Sequence, residues 1–400
     1  MNNIPTSTHI VTIVNRSDSL GGTAVVSFRL MNALREIGVD ARMLVVHSTT
    51  GSPHVAVAGN ALSRKYAFLA ERLKIYLNNG RNRADLFKID IANTGIDITR
   101  HPWVQQADTV CLNWVNQGFV SLPTVERLVK SGKRIIWTMH DMWNATGVCH
   151  HAGECRNYLQ RCGNCPFTRL AASVWEKKRR LYADTDITFV AVSRWLADRC
   201  RESSLLRNAD IRVIPNAFPI DQFGFTKTFE GGPTVVFGAA RIDDPIKGLD
   251  IAIDALNIVH SQMPEVKALF FGDIRQPEML HRLAMPHTHI GRQSPLGVQL
   301  AYRRSDVVLS TSLYETLPGT VIEGMAAGCT PVTFDSGGQT DIFDNGVSGF
   351  IAEYKNPESV ADCVINALRD PLPRQSLHDE VARRFSAKSV AQRYLSLFNE

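Results

Sequence analysis

The chain has 400 residues, 44 Lys or Arg against 39 Asp or Glu, and a formal net charge of +5. A hydrophobic fraction of 44% with 21% charged residues is that of a globular chain, and so small a basic excess argues against a protein that coats nucleic acid. No run of about 18 apolar residues predicts a membrane span, Met1 to Thr8 lacks a signal-peptide pattern, and eight Cys without an export signal are expected reduced, in the cytoplasm.

This length predicts two domains of about 150–200 residues. Residues 9–15 form a short β-branched run that suits a buried strand. Gly21 and Gly22 follow, then helical periodicity through Val25, Phe28, Leu30, Leu34 and Ile37, closed by Gly38. Strands are predicted at 41–46, 109–113, 134–138 and 187–192, each nearly all apolar, as in a parallel sheet covered on both faces. A second series reads as strands at 234–238, 267–272, 306–310 and 330–334, with helices at 249–260 and 323–327 between them. The stretch from Phe218 to Pro233, with Pro219 and Gly231-Gly232-Pro233, is the expected linker. The fold class is therefore α/β, two doubly wound parallel sheets in tandem, divided into 1–217 and 218–385.

Two regions break the alternation. Residues 61–88 carry Leu62, Tyr66, Leu69, Leu73 and Leu77 on one helical side and seven Lys or Arg against Glu71 and Asp85. This is the pattern either of a helix resting on anionic lipid or of a packed helix with a solvated side. Residues 149–165 hold Cys149, Cys155, Cys162 and Cys165 beside His150 and His151. The Cys162-Gly-Asn-Cys165 knuckle can wrap two thiolates onto one metal, so a structural Zn²⁺ stapling this loop is expected over disulfides, a redox pair or free thiols.

Glu315 and Glu323 span a loop and the start of a helix, where backbone N–H groups and the helix terminus favour an anion. Arg241 and Lys247-Gly248 follow the first strand of the second half, placed to clamp a diphosphate. His140 and Asp141 follow the strand at 134–138, at the carboxyl edge where α/β ligand sites form.

In these blocks the chain resembles the GT-B glycosyltransferases of family 4, whose signature is a Glu, seven residues, a Glu and a small-residue helix before Gly-x-Pro-Val. The Cys-rich block resembles a subset of exopolysaccharide-type members. The resemblance implies two Rossmann-like domains facing across a cleft, with residues 386–400 packing back on the N-terminal one. It implies sugar transfer with retention of configuration and no catalytic metal. Glu323 would hold a ribose, Glu315 and His140 the transferred sugar, Arg241 and Lys247 the diphosphate. Leu317, Gly319 and Thr320 would supply amides and Gly21 and Gly22 the facing loop, while Asp141 orients His140 or recruits the acceptor hydroxyl. Pro318 stands where many members have Gly and contributes no N–H. The expected partners are a nucleotide-sugar donor and a growing surface glycan, free or lipid-linked, at the inner face of a membrane. Alternatives are another GT-B activity, epimerase or phosphorylase, and a zinc-containing nucleic-acid-binding module, which the intact Glu pair argues against.

Overall fold

The computed structural model describes residues 9–183, 185–228 and 231–400; the signal-peptide reading of Met1 to Thr8 lies outside them. The chain divides into two compact units, Met1–Ala217 with Val390–Glu400, and Phe218–Ser389.

The first unit runs β1 (Ile10–Val14), α1 (Gly22–Glu36), β2 (Asp40–Val45), β3 (Val55–Val57), α2 (Ala61–Asn78), α3 (Pro102–Gln106), β4 (Thr109–Leu112), α4 (Leu122–Lys130), β5 (Arg134–Met139), α5 (Thr168–Ala183), β6 (Thr188–Ala191), α6 (Arg194–Glu202) and β7 (Ile211–Val213). Its sheet has the order β3-β2-β1-β4-β5-β6-β7, with every pairing parallel. The central strands are buried on both faces, which is why they read as unbroken apolar runs.

The second unit runs β8 (Thr234–Arg241), α7 (Leu249–Gln262), β9 (Lys267–Asp273), β10 (His287–His289), α8 (Pro295–Arg303), β11 (Val307–Ser310), α9 (Gly319–Ala326), β12 (Thr330–Phe334), β13 (Phe350–Ala352), α10 (Pro357–Arg369) and α11 (Arg374–Phe385). Its sheet, β10-β9-β8-β11-β12-β13, is again parallel. Leu249, Ile253, Leu256 and Val259 of α7 and Val360, Val364 and Ile365 of α10 close one core with Val235, Phe237 and Phe270 of the sheet. The last helix, α12 (Ala387–Phe398), brings Tyr394 to Thr138 of β5, hydroxyl to hydroxyl at 2.9 Å, and stacks Phe398 on His9.

Both sheets reverse direction in the same place, between β1 and β4 in one and between β8 and β11 in the other. Loops leaving the carboxyl ends of such strand pairs diverge and open a crevice, the usual ligand position in open α/β sheets. The second of these points depends on a close approach of backbones. Gly272, at φ +123°, lies so near β8 that a Cβ there would stand 1.9 Å from the Ala239 carbonyl oxygen, beside the register shift that delivers Arg241. Gly272→Ala is expected to cost about 2 kcal/mol or more from strain and overlap together. Denaturant unfolding of the variant checks this.

Candidate active site

In the second unit two loops meet at this switch point. After β8, Arg241 reaches Asp244 at 2.9 Å, and Asp244 caps a short turn, accepting the Ile246 N–H at 3.3 Å. The turn ends at Gly248, whose φ of +64° and 2.3 Å Cβ approach to the Thr311 carbonyl demand glycine. Leu313 N–H donates to the Ile246 carbonyl at 2.8 Å, and Thr311 Oγ1 donates to that of Gly248 at 2.8 Å, so the β8 and β11 loops are laced together. Across that lacing, Lys247 Nζ forms an ion pair with Glu315 Oε1, both side chains partly open to solvent. Lys247 and Glu315, 68 residues apart in sequence, thus share one point at the topological switch.

The helix expected at 323–327 begins earlier, at Gly319, because Pro318 is well suited to a helix start. Leu317 is buried just before it, and Gly319 and Thr320 form the first turn, where N–H groups have no carbonyl of a preceding turn to bond. Glu323 lies within the helix, half-buried, and its charge adds to burial in pushing the Tyr302 hydroxyl far above its ordinary pKa. The Glu315 carbonyl accepts the Gly338 N–H at 2.8 Å. Gln339 escaped sequence reasoning. Its buried amide accepts from Ser310 Oγ at 2.8 Å and donates to the carbonyls of Ser312 and Ser336, both at 3.1 Å, fixing the loop that bears Glu315. Its one sequence signal is the Gly337-Gly338 pair before it.

In the first unit, Gly21 (φ +92°) caps α1 and Gly22 opens it, after β1. His140 follows β5, and its Nε2 donates to Asn113 Oδ1 at 2.9 Å, while Asn113 Nδ2 is buried with no hydrogen-bond partner. Burial holds the imidazole near pKa 4 against the raising influence of Asp141, so His140 is neutral at pH 7. Asp141 is occupied elsewhere: Oδ1 accepts the Trp143 N–H at 2.8 Å and Oδ2 the His150 Nδ1–H at 2.7 Å. It therefore anchors the Cys-rich loop. Burial alone would raise the Asp141 pKa, but His150 and these hydrogen bonds bring it below the usual value.

The other ring nitrogen of His150 donates to Asp90 Oδ2 at 2.7 Å. Burial opposes protonation of His150, yet two carboxylates prevail and lift its pKa to about 10, making it an imidazolium. Asp90 Oδ1 pairs with Arg72 of α2, which also pairs with Glu71 at 3.2 Å. Lys178 of α5 enters from the far side, its Nζ 3.2 Å from the Trp143 ring centre and donating to the carbonyls of Trp143 and Thr146. Cys149, Cys155, Cys162 and Cys165 lie on the loop held by these contacts. The Cys149 thiol is pushed up to about 12 by burial and by the other three. Among the described residues no three His, Cys, Asp or Glu are grouped to hold a metal ion, so the thiols as folded do not form a finished zinc site.

The family described as "Glycosyl transferases group 1" matches residues 232–370, the β8-to-α10 portion with the Lys247–Glu315 pair. The phosphatidyl-myo-inositol mannosyltransferase of Mycobacterium leprae is 26% identical over 240 residues, 57% of this chain and 63% of that protein. Residues 232–370 are thus similar to the group 1 glycosyltransferases, and the chain shares the fold of the GT-B structures. Spore coat protein SA of Bacillus subtilis is 27% identical over 187 residues, 42% of this chain and 49% of that one. The chain thus spans under two thirds of the length of these relatives. Among solved structures, Anabaena Alr3699/HepE in complex with UDP and glucose matches with a TM-score of 0.65 at 15% identity, over 98% of this chain and 99% of that one. A sucrose-phosphate synthase from Thermosynechococcus elongatus matches at 0.66 and 16%, over 98% of each. These two share the fold.

The neutral His140 gives a pH signature. Unfolded, it takes a proton near pH 6.5; folded, only near pH 4. Its folded pKa is depressed, so the unfolded state binds more protons between these values and stability falls as pH drops through that window. Relative to His140→Asn, the native chain is expected to lose stability from pH 6.5 toward 4 and to hold a constant difference above pH 7. Urea unfolding at several pH values checks it.

Proposed function

We propose that the chain transfers a sugar, with retention of configuration, from a nucleoside diphosphate sugar to a hydroxyl of a growing surface glycan of exopolysaccharide, capsule or O-antigen type. The observation that carries this reading is the Lys247–Glu315 pair at the switch point, beside the amide end of α9. In the structure the cation and the carboxylate satisfy each other. A diphosphate entering at the α9 terminus offers Lys247 a stronger partner, and Lys247 leaving Glu315 exposes a carboxylate for sugar hydroxyls. Arg241 adds positive charge on the same loop, and Glu323 accepts from the ribose.

In the reaction the bond from the sugar's anomeric carbon to the diphosphate oxygen breaks and a bond to the acceptor oxygen forms on the same face. The acceptor proton passes to the departing phosphate oxygen. Most of the catalysis is then charge stabilisation and positioning, which the β8 and β11 loops supply from a rigid frame. At the edge of the first unit's sheet, neutral His140 and the Asn113 amide, whose Oδ1 accepts from His140 and whose Nδ2 has no partner, form a polar pair suited to sugar hydroxyls. The bound UDP and glucose of the Anabaena structure support a UDP-sugar as the first donor to try.

A panel of nucleotide-sugars read by thermal shift, with products identified by mass spectrometry, tests the reading. Glu323→Ala and Arg241→Ala are expected to weaken binding of the selected donor tenfold or more, with unfolding midpoints near native. Unchanged affinity in both variants would overturn the assignment, and donor isomerisation or phosphorolysis without transfer would favour the other GT-B activities.

The zinc expected on Cys149, Cys155, Cys162 and Cys165 is a separate proposal, and it requires the loop to draw the thiols together on binding. About one zinc per chain after purification without added metal, lost in Cys162→Ser, supports it. Zinc-free protein with all four thiols titrating overturns it.

A further inference from the structure

Helix α2 is attached to the protein by its polar side. Glu71 accepts the N–H groups of Ile91 and Ala92 at 2.9 and 2.7 Å, and Arg72 pairs with Asp90 and donates to the Ile89 carbonyl at 3.3 Å. Ala67 and Ile75 are the other buried residues of the helix. The bulky apolar residues point the other way. Leu62 is 80% exposed, Tyr66 73%, Leu69 51%, Leu73 57% and Leu77 58%. At 100° per residue these five fall within a strip about 80° wide. A surface helix normally turns such a strip inward; here it lies along the outside. Phe87, 59% exposed, lies just beyond the helix, and a groove of about 810 Å³ runs among Tyr66, Leu69, Leu73, Leu77 and Leu86.

The charges around the strip have one sign. Lys65, Lys74, Arg81, Arg83 and Lys88 are exposed. Of the two acids in this stretch, Glu71 is buried in the inward network and Asp85 is paired with Lys88 at 2.8 Å. Lys65 and Lys74 flank the strip on opposite sides, so an apolar ridge is bordered by cations.

We propose that this face docks on an anionic lipid bilayer. Helix α2 lies in the plane of the headgroups, with its Leu and Tyr side chains at the acyl boundary and its cations against lipid phosphates. Charge decides between this occupant and a second copy of the chain. A two-fold contact through the strip would bring the same cationic border together with itself, with no exposed acid in residues 61–88 to offset it. The inference goes beyond sugar transfer and does not rest on it, since none of these residues belongs to the unit that carries Lys247 and Glu315.

The test is flotation of the full chain with phosphatidylglycerol vesicles and with phosphatidylcholine vesicles, at low and high salt. Two double variants, Leu69→Glu with Leu73→Glu and Lys65→Glu with Lys74→Glu, are compared with the native chain. Thermal unfolding and UDP binding serve as controls for fold and for the second unit. Binding to the anionic vesicles, weakened by salt and at least tenfold lower in both variants with both controls unchanged, is expected. Failure of the native chain to float, or equal flotation of the variants, overturns the proposal. So does a dimer in sedimentation velocity that the Leu69→Glu, Leu73→Glu variant dissociates, because the face then belongs to a second copy.

Discussion

One buried imidazolium, His150, sits between two carboxylates, Asp90 and Asp141, and much of the first unit is arranged around that bridge. Removing a partner from such a buried set would leave an uncompensated charge, at a cost of about 3–5 kcal/mol. Each member therefore fixes the segment that carries it. Asp141 fixes the turn after β5, His150 fixes the start of the thiol loop, and Asp90 fixes the segment beside Ile89, which bridges Cys149. Arg72 and Glu71 extend the set to α2. Trp143 joins it through an indole N–H to the Asp90 carbonyl at 2.9 Å, and Lys178 covers the Trp143 ring. Because α2 is gripped by charges, its leucines are released from the core, and the exposed apolar ridge follows from the buried ions beneath it.

The second unit achieves its fixed geometry differently. Its loops are joined mainly by neutral hydrogen bonds: Thr311 to the Gly248 carbonyl, Leu313 to Ile246, and the Gln339 amide to three partners. The charges there, Arg241, Lys247 and Glu315, stay partly open to water. Partial exposure lets them exchange partners at small cost, as the anion binding proposed for them requires. Buried ions thus hold structure in one unit, while the ions at the other's switch point stay partly exposed.

The central strands were legible because burial on both faces writes them as β-branched apolar runs, and the structure has them within a residue or three of the expected limits. The edge strands β3, β10 and β13 were not, since three residues set no period. The leucine strip of α2 was legible as a strip, but its direction was not, because inward packing is decided by Glu71 meeting backbone far along the chain. Lys247 and Glu315 came from family resemblance; their mutual pairing leaves no trace in either local sequence. Asp141, expected to orient His140 or to recruit the acceptor hydroxyl, hydrogen-bonds His150, nine residues on, a pairing that no local pattern announces. Asn113 and Gln339 carry no pattern, because a side chain that bonds across long sequence separations has no periodicity to betray it.

Retaining transfer by this chain is most directly tested on the product. With an α-linked nucleotide-sugar that the chain binds and an acceptor glycan it accepts, the one-bond carbon–hydrogen coupling at the new anomeric centre reports its configuration. An α-linked product, formed only with the native chain present, is the predicted result. A β-linked product, or donor consumed with no glycoside formed, would contradict it.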